Sequence, residues 1–66
     1  MDESPAGKSG YLTVAIPGQG RAGEVRLEIR GGTETFLAFA EEPIARGTLV
    51  LVVGDRGGRA VDVIAG

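Results

Sequence analysis

Between residues 24 and 30 the chain reads EVRLEIR. In an extended backbone Val25, Leu27 and Ile29 stand on one side, with Glu24, Arg26, Glu28 and Arg30 on the other. A period of two is the mark of a strand with one buried face, whereas a helix would scatter the three apolar side chains around its circumference. Gly31-Gly32 comes directly after, a dipeptide that tolerates the positive φ of a tight hairpin. This pattern commits the middle of the chain to antiparallel sheet.

The rest of the sequence repeats that grammar. In Tyr11 to Ile16, Leu12, Val14 and Ile16 share one face. After the glycine pair, TETFLAFA sets Thr35, Leu37 and Phe39 against Glu34, Phe36 and Ala38, so both faces carry apolar groups. Residues 41 to 47, EEPIARG, are too few for a substantial helix and form a connection. Thr48 to Val53 is apolar on both faces, as a fully covered strand is. Asp55-Arg56-Gly57-Gly58 reads as a turn, and Arg59 to Ile64 as a last strand with Val61 and Val63 inward. Residues 1 to 10, MDESPAGKSG, have the composition of a flexible tail or linker. The expectation is an all-β chain. A flexible N-terminal tail (1–10) precedes one domain (11–66), a small five-stranded, partly open barrel of the OB-like (or SH3-like) kind. Barrel closure also removes the edges that a flat five-stranded sheet would expose.

Composition narrows the function classes. A core built from 66 residues is marginal, and the absence of cysteine rules out a disulfide to reinforce it. Histidine is absent as well, which removes the commonest metal ligand and general base together. Lys8 is the sole lysine, and Ser4 and Ser9 lie in the expected tail, so no activated nucleophile is evident. Glu41-Glu42 has no further ligand close in sequence and reads as a solubilising loop. The chain is therefore expected to be no enzyme, with no cofactor and no metal. The net charge of −2 argues against a strongly nucleic-acid-seeking surface. No apolar run approaches the ~20 residues of a membrane helix. The chain as given is expected to be soluble, cytoplasmic or membrane-associated through a parent protein. Arginine as the basic residue throughout the barrel, with much Gly, Ala and Val, fits a GC-rich bacterial genome.

Three short motifs test these expectations. GQGRAG, residues 18 to 23, has the G-x-G-x-x-G spacing of a dinucleotide-binding turn. That motif needs a helix after it, and here the alternating strand comes next instead. Gly20 and Gly23 are expected to shape entry into that strand. Gly7-Lys8-Ser9 resembles the end of a phosphate loop, but the leading glycine position is Asp2. Arg30-Gly31-Gly32 and Arg56-Gly57-Gly58 are isolated triplets at expected turns rather than a repeated RNA-binding run. An oligonucleotide-binding barrel stays open as an alternative because the fold class permits it.

The second half carries a more specific series: Ala40-Glu41-Glu42-Pro43-Ile44, Gly47-Thr48, Val50, Val52-Val53, a glycine turn, then Val61 and Val63. It resembles the closing part of the C-terminal soluble domain of NfeD-like membrane proteins, an OB-fold family. Gly20, Gly23, Val25 and Leu27 resemble that family's opening "G-x-x-G-x-V-x-L". After that leucine the family often turns at Pro-x-Gly, whereas Glu28 to Arg30 extends the strand here. The resemblance implies a domain attached to transmembrane helices that works with stomatin- or flotillin-like protein partners and does no chemistry. The contact surface it implies includes Tyr11, Arg30, Phe36 and Arg56. Nucleic acid is the less favoured partner.

Overall fold

The computed structural model describes residues 4–66. Its five strands, in chain order, are β1 (Ser9–Val14), β2 (Gly23–Ile29), β3 (Gly32–Phe39), β4 (Leu49–Gly57) and β5 (Ala60–Ala65). Among the described residues no helix intervenes. Around the barrel the order is β1-β2-β3-β5-β4, and it is closed rather than partly open. Closure depends on β1, which pairs with β2 through Gly10 to Val14 and with β4 through Ser9 to Tyr11. Gly10 faces Leu27 on one side and Val50 on the other, and a Cβ there would collide with the Arg26 carbonyl oxygen. All contacts are antiparallel except β3–β5. This order, with its single parallel contact, is that of the OB barrel and excludes the SH3-like alternative.

The alternation of β2 survives intact: Val25, Leu27 and Ile29 are buried, and Arg26 and Glu28 are exposed. They meet Leu12, Ile16, Phe36, Ala38, Val50, Val52, Val61 and Val63 in one core, with Ala40 and Ile44 packed against it. Among the described residues no polar or charged side chain is buried, so the side chains hold the interior by hydrophobic burial, within the hydrogen-bonded strand ladder. The hairpin between β2 and β3 turns on Arg30 and Gly31, at φ of 54° and 75°, and Gly32 is already paired with Ile29.

Four local expectations change. Val14 does not share the inward face of Leu12 and Ile16. The register shifts between Leu12 and Val14, and the extra residue turns Val14 outward to 45% exposure. The strand also begins at Ser9, inside the expected tail, and the residues before it are tied to the barrel. Pro5 is buried, Gly7 N–H donates to the Val52 carbonyl at 2.9 Å, and Val52 N–H donates to the Lys8 carbonyl at 2.9 Å. Residues 1–3 of that expected tail lie outside the described residues. β4 runs on through Asp55 and Arg56 with two register shifts, so the turn falls on Gly58-Arg59 instead. Finally, β4 is covered on one face only: Val50 and Val52 are buried, while Leu49 and Val53 are 41% and 54% exposed. A single closed barrel has one inside, and among the described residues no second layer covers the outer face that carries Leu49 and Val53.

Candidate functional site

The outer wall is uneven. On β2 it is charged, as the sequence pattern requires. Where β1, β4 and β5 adjoin, at Tyr11, Leu49 to Val53 and Ile64, it is apolar. Tyr11 pairs with Leu49 across β1–β4, and Leu51 pairs with Ile64 across β4–β5. Paired residues on one face of a sheet are in side-chain reach, and Val53 continues the same row along β4. Tyr11 is 60% exposed and Ile64 50%. The stripe is thus formed by side chains that period-two strands must send outward, with no second layer among the described residues to receive them.

At the other end of β4, three strands contribute one cluster. Phe39 pairs with Asp62 across the parallel contact. Arg56 Nε and Nη2 both donate to Asp62 Oδ1, at 2.9 and 2.8 Å, and the guanidinium lies 4.0 Å from the Phe39 ring centroid. Gly54 lies opposite Asp62, and a Cβ there would meet Oδ2 at 3.4 Å, an ordinary van der Waals contact. Glu34 meanwhile joins two turns, accepting a hydrogen bond from Arg30 at 3.4 Å and forming an ion pair with Arg59 at 3.3 Å. Both Arg-Gly-Gly triplets therefore sit in or beside hairpin turns, with their arginines paired to carboxylates.

Between these regions lies an open groove of about 740 Å³, at the point where β3 ends and the 40–44 connection leaves the barrel. Phe39, Pro43, Ile44, Val53 and Ile64 line it, with Glu41 and Glu42 on its rim. The connection is held away from β5 because Ile44 exchanges both backbone hydrogen bonds with Ile16, at 2.9 and 3.0 Å.

Of the contact residues expected from the sequence, Tyr11 lies in the apolar stripe, Arg56 in the Phe39–Asp62 cluster and Arg30 at the β2–β3 turn. Phe36 does not belong to a surface: it is 7% exposed and part of the core. In β3 it is Leu37 that points outward, at 47% exposure. Leu49, Val53 and Ile64 were missed. Their signal was available, because a strand apolar on both faces in a one-layer barrel must leave one face uncovered.

GQGRAG forms a tight turn. Arg21 N–H donates to the Gly18 carbonyl at 3.1 Å, and the central Gln19 and Gly20 have φ of 58° and 81°. Positive φ at both central residues is the type I′ signature. The next element is β2, so no helix N-terminus is available for a phosphate. Among the described residues no cluster of three or more acidic or other metal-ligating side chains could hold a metal ion. No helix among them is long and apolar enough to cross a membrane.

The molecule is thus a small OB-type barrel with an apolar outer stripe and a groove beside the end of β3. The family model of the NfeD C-terminal domain matches residues 9–64, and the chain belongs to that family. Its fold is also that of the soluble domain of the NfeD protein YuaF from Bacillus subtilis, known from a solution structure. The two are 32% identical, the match covers 89% of this chain and 70% of that one, and the TM-score is 0.74. No curated protein matches the chain.

Proposed function

We propose that this domain is a non-catalytic interaction module of an NfeD-like, membrane-associated protein, and that it works with a stomatin- or flotillin-like partner. The observation that carries the reading is the apolar stripe Tyr11–Leu49–Leu51–Ile64–Val53. A domain of this size has little apolar side-chain area to spare from its core, and a row of large side chains left on the outer wall is what a protein contact uses. The test is co-expression of the chain with a stomatin-like protein, then capture on the tagged chain. Co-purification that is lost in Val53→Asp and Leu49→Asp, while Glu28→Gln on the opposite wall retains it, supports the reading. Equal capture by all variants, or none by the wild type, refutes it.

The oligonucleotide-binding alternative has less support. Arg30, Arg56 and Arg59 are each paired with Glu34 or Asp62, and Arg26 lies between Glu24 and Glu28 on the outer face of β2. Arginines neutralised in this way give little counterion release on meeting phosphates. Anisotropy titration with single-stranded DNA or RNA at low salt decides it. Affinity tighter than roughly 10 μM that falls steeply with salt restores the alternative.

A further inference from the structure

The groove beside β5 contains a stretch of strand edge left unpaired where β3 ends. Leu37 N–H donates to the Arg59 carbonyl at 2.8 Å, so the backbone groups of Arg59 face β3. Backbone direction alternates along a strand, which turns Val61, Val63 and Ala65 the same way. β3 stops at Phe39, paired with Asp62, whereas β5 continues to Ala65. The Val63 carbonyl and the Ala65 N–H therefore look past the end of β3 into the groove. Among the described residues no backbone bond from the 40–44 connection reaches them.

The charge around this edge is one-sided. Arg56 is neutralised by Asp62. Glu41 and Glu42, on the rim, have no ion-pair partner among the described residues. The floor between them is apolar, from Ile44, Val53 and Ile64. We infer that the groove takes an extended peptide segment from a partner, alternating apolar and basic side chains. Its backbone adds to the Val63–Ala65 edge where β3 has ended, its apolar side chains enter the groove, and its Lys or Arg side chains meet Glu41 and Glu42. Strand addition of this kind draws affinity from main-chain hydrogen bonds and specificity from alternate side chains. A second copy of this chain fits less well, because its net charge of −2 brings like charge to an acidic rim. The inference rests on the interaction reading above and specifies the chemistry of the partner.

The experiment is a titration of the isotope-labelled chain, read by amide shifts, with two synthetic octapeptides, one alternating lysine and valine and one alternating glutamate and valine. The lysine peptide is expected to bind about tenfold more tightly at low ionic strength. Its shifts should centre on Glu41 to Ile44 and Val63 to Ala65, with slowed exchange of the Ala65 amide. Joint substitution of Glu41→Lys and Glu42→Lys should reverse the preference, and Ala65→Pro, which deletes the edge donor, should abolish binding. If Ala65→Pro fails to fold, the slowed Ala65 exchange in the wild type decides the point. Equal affinity for the two peptides, no binding of either, or concentration-dependent shifts without peptide (a second copy in the groove) overturn the inference. Shifts confined to Tyr11 and Leu49 overturn it too, but leave the interaction reading standing. Loss of that reading is detected separately, by the capture experiment on the Leu49 variant, because Leu49 lies in the stripe and outside the groove, whereas Val53 belongs to both.

Discussion

Replacing Gly23 with alanine tests how closely two segments of this barrel approach. Gly23 is buried at the start of β2, opposite Ala38, and its φ is not in the left-handed region. At such a position the usual effect of Gly→Ala is a gain of about 0.4–1 kcal/mol, because the unfolded chain loses freedom. Here the added Cβ would stand 2.5 Å from the Val14 carbonyl oxygen and 2.6 Å from that of Ala15. Both are backbone atoms, and neither can swing aside as a side chain would. Val14 is paired with Glu24, and Ile16 is bonded to Ile44 just beyond. Relief therefore requires moving β1 against β2, an overpacking cost of about 1–3 kcal/mol that outweighs the entropic gain. For a domain this small, a net loss of about 1 kcal/mol lowers Tm by roughly 4–8 °C. Gly32→Ala is the internal control: Gly32 is also in a strand and also outside the left-handed region, but nothing lies within 4 Å of its Cβ position. Urea and thermal unfolding monitored by far-ultraviolet circular dichroism should show Gly23→Ala destabilised and Gly32→Ala unchanged or slightly stabilised. Equal shifts in the two variants, or a stabilised Gly23→Ala, would refute the close-approach argument.

The same geometry sets three further outcomes. Deleting residues up to Lys8 should destabilise the barrel by about 2 kcal/mol or more in urea unfolding, since two hydrogen bonds at about 1 kcal/mol each and the burial of Pro5 are lost; an unchanged midpoint would return this segment to tail. Val52→Ala should cost at least about 1 kcal/mol, whereas Val53→Ala should lie within about 0.5 kcal/mol of wild type, because only the first leaves a cavity; chemical denaturation of the pair checks which face of β4 is inside. Arg56→Ala should cost no more than about 1 kcal/mol, because its ion pair with Asp62 and its place over Phe39 are half exposed and screened. A loss several times larger in the same denaturation assay would mean that the cluster holds β3, β4 and β5 together.

How far the fold is legible in the sequence differs from strand to strand. β2 reads completely, because it combines strict alternation with charged outer residues that cannot turn inward. β5 reads nearly as well, with Val61 and Val63 inside. The resemblance in residues 40 to 64 and at Gly20 to Leu27 led to the right family. β3 and β4 read as strands, but not as to which face is covered. Phe36 and Leu37 are both large and apolar, and local pattern does not choose between them. Of the residues named from the sequence, Tyr11 lies in the stripe and Arg56 lines the groove, but the groove itself was not legible, because its walls come from β3, β4, β5 and the 40–44 connection.

What the sequence determined by itself was the local geometry: extended backbone with period two, interrupted wherever glycine or a short polar turn permits reversal. That information is contained in φ and ψ preferences and in side-chain alternation. Tertiary structure decided what depends on partners distant in the chain. The bulge that turns Val14 outward, the docking of Pro5 to Lys8 on β4 and the closure of β1 against β4 all require strands far apart in sequence to meet in one register. The same holds for the apolar stripe and the unpaired end of β5. A strand has two faces and two edges wherever it occurs, and only the assembled barrel determines which of them are left for something else to cover.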